Sequence, residues 1–250
     1  MAKRATILRY LKNLRNLPRV IPFVDAHPRL QGGGNPTEHL AKTGVGIGFL
    51  TLQSKTCDNI LEHVISLVEK KQYTTDVEGL SRPKQRLDVE IPPSGYCWNV
   101  LQRILSKWKQ DRGSPWHRFR QPGVEPRLVE FSVLGSLPGS ANQVWHKDHG
   151  GGYGKLISFG IPLIDVQDEH GPTQCILRGL SEKKYKRKPF RVRAKKGQLY
   201  AWDGSMTHRG TQNNSRVARP IFMFSLCFSE KIPTKLDALS LHPNLRNRLL

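Results

Sequence analysis

The sequence predicts a mainly β fold with flanking helices, a double-stranded β-helix or jelly roll. From about residue 127 a series of short alternating or apolar runs appears: LVEFSVLGSL, KLISFGIPLIDV, FRVRA, GQLYAW and RPIFMFSLCFS. Gly, Pro, Asn and Asp separate them, which is the texture of short strands in two packed sheets. The chain also carries 17 Pro and 22 Gly, many at turn-like positions. That punctuation suits a β-rich domain better than a helical bundle.

In chain order, residues 1–24 hold Lys3, Arg4, Arg9, Lys12, Arg15 and Arg19 and no acid. Ile7, Leu8, Leu11, Leu14 and Leu17 fall near helical spacing, so this is a basic amphipathic helix. It can be read as an organelle-targeting segment, as a surface helix for a polyanion, or as an ordinary first helix packed on the domain. The ordinary helix is favoured, because the segment is not Ser-rich. Residues 31–36 (QGGGNP) read as a loop. GVGIGFLTL (44–52) reads as a strand. The next helix has Asp58 as its cap and Ile60, Leu61, Val64, Ile65, Leu67 and Val68 as its apolar face. Residues 71–95 read as polar and irregular. A second amphipathic helix is expected over 97–110, through Trp98, Val100, Leu101, Ile104, Leu105 and Trp108. The implied organisation is a basic extension over 1–43, one domain over 44–235 whose roll begins near 127, and a tail over 236–250.

At 250 residues the chain can bury a sizeable core. No apolar run is long enough for a bilayer span, and no secretory signal is visible. Cys57, Cys97, Cys175 and Cys227 are scattered without a CxxC pair, so they read as free thiols in a reducing compartment. Localisation therefore reads as intracellular, cytoplasmic by default, with organelle targeting by the basic N-terminus as the competing reading. The net charge of +20, with pI ≈ 10.2, draws polyanions in general without specifying a site.

The chemistry lies in two segments. In Gln143-Val144-Trp145-His146-Lys147-Asp148, an extended chain points His146 and Asp148 the same way. An imidazole and a carboxylate then face one point, two-thirds of a facial two-histidine, one-carboxylate metal site. Alone, His-x-Asp is a weak signal. GQLYAWDGSMTHRG supplies His208 beyond a strand and turn, and Arg219 follows inside the next apolar strand. A cation in RPIFMFSLCFS needs an anion, because a buried unpaired charge is costly. A small dicarboxylic acid would provide a bidentate carboxylate.

PGSANQVWHKDHG, IPLIDVQDEHGPTQCILRG and GQLYAWDGSMTHRGTQNNSRVARPIFMFSLCFS resemble the phytanoyl-CoA dioxygenase-like family of Fe(II)/2-oxoglutarate oxygenases. GFLTLQSKTCDNILEHVISLVEKK resembles that family's opening strand and helix, so the likeness covers roughly 44–230. The resemblance implies that His146, Asp148 and His208 hold Fe(II) and that Arg219 binds the distal carboxylate of 2-oxoglutarate. It places Gln143 beside the cosubstrate or behind the metal ligands, and turns Lys147 away. The implied reaction is hydroxylation of a small, anionic or CoA-linked substrate with O2, releasing succinate and CO2. Desaturation and epimerisation remain open as outcomes on the same scaffold. Asp148 speaks against a halogenase, in which the carboxylate position is vacated for chloride. Two departures stand out. Arg178-Gly179-Leu180-Ser181 replaces Pro-Gly-Ser-His, and Gly210 stands where some members place a carboxylate-holding Ser. Thr211 and Tyr153 are the candidates to compensate.

His149 and His170 read as solvated or loop histidines, and His117 as surface packing. Trp145 and Trp202 read as packing beside the ligand segments. The basic run Lys183–Lys188, continuing through Arg191, Arg193, Lys195 and Lys196, reads first as a solvated loop and second as an anion-recognition surface. The competing function is a catalytically altered jelly-roll module that binds a polyanion such as nucleic acid. The complete triad with Arg219 favours the enzyme.

Overall fold

A computed structural model describes residues 2–14, 34–70, 86–148, 155–178 and 189–230. His149, Tyr153, the run 183–188 and the tail 236–250 lie outside the described residues. Within them, helix α1 (Ala2–Asn13) precedes α2 (Pro36–Thr43), strand β1 (Val45–Thr51), α3 (Ser54–Glu69) and β2 (Arg86–Glu90). Helices α4 (Gly95–Gln110) and α5 (Pro115–Phe119) follow. Then come β3 (Arg127–Ser136), β4 (Leu156–Pro162), β5 (Thr173–Cys175), β6 (Phe190–Val192), β7 (Gln198–Asp203), β8 (His208–Gly210) and β9 (Arg219–Cys227). The strands form a six-stranded sheet, β1-β7-β4-β9-β3-β2, and a three-stranded sheet, β6-β5-β8, with every pairing antiparallel. This is the two-sheet roll that the sequence predicts.

Side chains on a strand alternate between two faces, and in the large sheet the alternation separates two cores. Leu87, Val89, Phe131, Val133, Ile157, Phe159, Ile161, Leu199, Ala201, Phe222, Phe224 and Leu226 face the helices. Ile221, Met223, Tyr200 and Trp202 face inward, against Cys175, Phe190 and Val192 of the small sheet. The outer core is aromatic: Phe159 and Phe224 stack at 4.9 Å, and Trp108 of α4 lies 4.9 Å from Phe159. The inner face is more polar, with Glu130, Ser132, Ser136, Ser158, Arg219 and Ser225 all buried there.

The helices follow their sequence patterns with two differences. Helix α1 buries Ile7 and Leu11, Leu14 just beyond its end is also buried, and Lys12 pairs with Glu69 of α3 at 2.7 Å, so this segment packs on the domain. Pro36 does not end a loop but begins α2. Asn35 caps it, its Oδ1 accepting from Thr37 N–H at 2.8 Å, and proline suits the first helical position because its missing N–H would be unsatisfied there. Asp58 is not a cap. The helix starts a turn earlier, after Gln53, and Asp58 instead accepts from Lys196 Nζ at 2.6 Å.

Within 71–95, residues 86–90 are a strand and not an irregular segment. Arg86-Leu87-Asp88-Val89-Glu90 alternates with period two, and each residue pairs with β3. The apolar members reach the helical core, and Arg86 takes the inner face.

Glu130 is wholly buried, and Ser225 Oγ donates to its Oε2 at 2.5 Å. Burial pushes this carboxyl well above the ordinary range, the Ser225 hydrogen bond opposes that, and the charges of Asp148 and Asp88 add to it. Folding thus favours the neutral form of Glu130, while the unfolded chain ionises it above about pH 4.3. A group raised on folding contributes stability below its unfolded value and loses it as pH rises toward the folded value. Glu130→Gln is therefore expected to raise the unfolding midpoint at pH 8 and to leave it unchanged near pH 4, in thermal scans at both pH values. Phe224→Ala, which removes the centre of the aromatic stack, is expected to cost about 3–5 kcal/mol in chemical denaturation.

Candidate metal centre

Strand β8 joins the small sheet to the segment that carries the first two candidate ligands. Its other edge pairs with residues 143–146, extending the small sheet by one irregular strand. His146 N–H donates to His208 O at 3.0 Å and His208 N–H to His146 O at 2.9 Å. Gln143 N–H donates to Gly210 O at 2.9 Å. This reciprocal pair sets the two histidines side by side, with ring centroids 4.4 Å apart.

Both imidazoles are fixed in the same way. His146 Nδ1 lies 2.9 Å from Val144 O, and His208 Nδ1 lies 3.0 Å from Met206 O. A carbonyl only accepts, so each Nδ1 carries the proton and each Nε2 presents a lone pair to a metal. Asp148 is oriented from behind. Its Oδ2 accepts from Ser158 Oγ and from Trp202 Nε1, each at 3.0 Å, which turns Oδ1 to within 3.3 Å of His208 Nε2. Ligand atoms of His146, Asp148 and His208 all lie within 4.8 Å of one another. Lys147 points outward and is exposed.

The electrostatics match this arrangement. Burial would raise the Asp148 carboxyl, but His208, His146 and the Ser158 hydroxyl outweigh it and hold the carboxyl below the ordinary range. Burial would lower His208, yet the Asp148 carboxylate raises it. Burial and the neighbouring His208 both lower His146. Two neutral-capable imidazole nitrogens and one carboxylate oxygen, facing one point, suit Fe(II) or a similar divalent metal with positions left open.

The loop that delivers His208 is pinned by Asp203. Its Oδ1 accepts from Ser205 N–H at 2.9 Å and from Ser205 Oγ at 2.5 Å, while Lys155 and Arg178 pair with Oδ2. Burial would raise the Asp203 carboxyl, but Lys155 and Ser205 pull it down to about 2. Arg178, one of the sequence departures, thus ties the turn after β5 to this loop.

Arg219 begins β9 on the inner face and is 4% exposed. Its Nε and Nη1 have no hydrogen-bond partner among the described residues. Burial lowers its pKa, and Tyr200 opposes that only in part. A buried guanidinium with unused donors fits an anionic ligand such as a carboxylate. Gln143 braces β8: its Oε1 accepts from Gly210 N–H at 2.7 Å. Of the two compensating candidates, Thr211 is committed elsewhere, its Oγ1 donating to Pro172 O at 2.7 Å.

The remaining sequence candidates divide. His170 sits in the 3-10 turn Asp168–His170 as a loop histidine, but it is buried and not solvated; its Nδ1 accepts from Gln167 N–H at 3.2 Å. His117 is on the surface, with Nε2 2.9 Å from Lys109 O. Trp202 packs against His208 at 5.3 Å and holds Asp148. Trp145 is half-buried, with the Arg209 guanidinium 4.4 Å from its ring. Arg191 and Arg193 pair with Asp168, and Lys196 pairs with Asp58, so this part of the basic run is matched by acids. Sequence reasoning missed Arg86, Ser158 and Glu130. The alternation around Arg86 was the available signal.

The fold and the donor set together define a double-stranded β-helix with a candidate two-histidine, one-carboxylate metal centre. No protein-family model matches the chain, and no curated protein matches it at a significant level. Solved structures do share the fold. SnoK, a non-heme α-ketoglutarate-dependent carbocyclase from nogalamycin biosynthesis, is 15% identical with a TM-score of 0.61, over 79% of this chain and 84% of its own. The epimerase SnoN, solved with Fe3+, α-ketoglutarate and nogalamycin RO, is 13% identical with a TM-score of 0.58, over 77% and 82%. HygX from Streptomyces hygroscopicus, solved with nickel and 2-oxoglutarate, is 13% identical with a TM-score of 0.52, over 85% and 93%. Among the described residues no helix is long and apolar enough to cross a membrane.

Trp202→Phe keeps the ring and deletes one of the two hydrogen bonds that turn Asp148. It is expected to weaken divalent-metal binding by roughly 10- to 100-fold, measured by metal titration of the purified variant, with its circular dichroism unchanged.

Proposed function

We propose that this protein is an Fe(II)/2-oxoglutarate-dependent oxygenase of the phytanoyl-CoA dioxygenase-like kind, and that it hydroxylates a small anionic or CoA-linked molecule. The observation that carries the reading is the pairing of a pre-oriented metal triad with Arg219, a buried cation on the inner face whose Nε and Nη1 have no partner among the described residues. His146, Asp148 and His208 would hold the iron, and Arg219 would receive the distal carboxylate of 2-oxoglutarate. When bound, the metal and cosubstrate supply oxidation of a substrate C–H bond coupled to decarboxylation of 2-oxoglutarate to succinate.

The protein's own part is positional. Val144 O and Met206 O hold the imidazole tautomers, Ser158 and Trp202 aim the carboxylate, and the inner apolar residues Tyr200, Ile221 and Met223 keep water from the Arg219 side. The carbocyclase and epimerase among the structural neighbours support a scaffold on which the substrate decides the outcome, so desaturation and epimerisation are the alternatives to hydroxylation. The oriented triad supports catalysis over a polyanion-binding module, which would not need its donors aimed at one point.

Anaerobic addition of Fe(II) and then 2-oxoglutarate is expected to give a weak visible charge-transfer band. Folded protein without the band would refute the oxygenase reading. His146→Ala and Asp148→Ala are expected to abolish iron binding. Arg219→Ala is expected to retain iron and to raise the 2-oxoglutarate concentration needed for the band by roughly 10- to 100-fold, the loss of a charge-assisted carboxylate contact.

A further inference from the structure

A second cation, half-buried, shares the inner face with Arg219. Arg86 of β2 and Arg219 of β9 both pair with Ser136 of β3, one from each side. Three residues in one cross-strand row point the same way, so two arginine side chains leave the inner face about 10 Å apart at their Cα atoms, two strand spacings. Arg86 Nη2 donates to Ala141 O at 3.1 Å and to Thr211 O at 3.0 Å. Its Nε is buried with no hydrogen-bond partner among the described residues, as are Nε and Nη1 of Arg219.

The guanidinium of Arg86 lies over Gly210. A Cβ there would come within 2.8 Å of Arg86 Nη1 and 2.7 Å of Gln143 Oε1. Any larger residue at 210 would push this head group away. The space that glycine leaves at the end of the His208 strand is therefore filled by an arginine from another strand.

We propose that Arg86 is a second anion-binding residue of the same site, gripping the distal carboxylate of 2-oxoglutarate together with Arg219. This rests on the oxygenase reading above and assigns a residue that the sequence motifs do not contain. Two like charges in one row, one buried and one half-buried, repel each other and are costly without an anion. Burial and the charge of Arg219 draw the Arg86 pKa down to about 9. One carboxylate above Ser136 would compensate both cations at once, with the Nη2 anchors fixing the direction of approach.

The test compares two ligands on metal-loaded protein. 2-Oxoglutarate and 2-oxopentanoate share the 2-oxo acid head, but only the first has a distal carboxylate. Dissociation constants are measured by calorimetry with Mn(II) bound, for the wild type, Arg86→Met and Arg86→Lys. Arg86→Met is expected to weaken 2-oxoglutarate by roughly 10- to 100-fold and to leave 2-oxopentanoate unchanged. Arg86→Lys, which keeps the charge but not the fork, is expected to fall between and guards against misfolding of the first variant. A wild-type constant for 2-oxoglutarate in both variants would overturn the assignment, as would an equal loss for both ligands. Wild-type protein that loads Mn(II) but binds neither ligand would overturn the oxygenase reading itself.

Discussion

Period-two alternation in the large sheet is the constraint on which everything else depends. Each of its strands must send one set of side chains to the helices and the other into the roll. The outward set supplies the aromatic stack of Trp108, Phe159 and Phe224. With that set committed to the core, the inward set is free to be polar. Slipping any strand by one residue would exchange the two sets and bury Arg219 among phenylalanines. The core that stabilises the fold thus also fixes which side chains can meet at the site.

The small sheet sets the metal donors by backbone geometry more than by side-chain packing. The reciprocal hydrogen bonds between His146 and His208 bring together residues from opposite ends of the roll's sequence. Two carbonyls fix the tautomers, and two donors fix the carboxylate. No ligand depends on the rotamer of a free surface side chain. Such an arrangement loses little entropy when a metal arrives, because its ordering cost has been met by folding.

The inner face concentrates charge that a folded protein ordinarily avoids. Burial favours the neutral form of Glu130, and a chain of hydroxyls runs from it through Ser225 and Ser158 to Asp148, with the two serine oxygens 2.9 Å apart. Arg86 Nε and Arg219 Nε and Nη1 are buried without an acceptor among the described residues. Guanidinium nitrogens buried without acceptors cost stability, so under the proposed function an anion would meet donors already desolvated and aimed.

The sequence by itself determined what local pattern and chemistry carry. Alternating runs and turn residues predicted the roll, 3.6-residue periodicity predicted α3 and α4, the i, i+2 spacing of His146 and Asp148 with His208 beyond a strand and turn marked a candidate metal site, and Arg219 stood out as a cation inside an apolar strand. Only tertiary structure decided the rest. Strands β5 and β8 are three residues each, too short to have a period of their own, and exist because their edges are paired. Asp58 has the chemistry of a cap but serves as a partner for Lys196, a choice made by where β7 begins. Arg86 read as one more charge in a polar stretch, and its meaning came from register with Ser136 and from the absent side chain of Gly210. Residues far apart in the chain acquire a joint role only when strand pairing brings them together and burial removes the water that would otherwise satisfy each one alone.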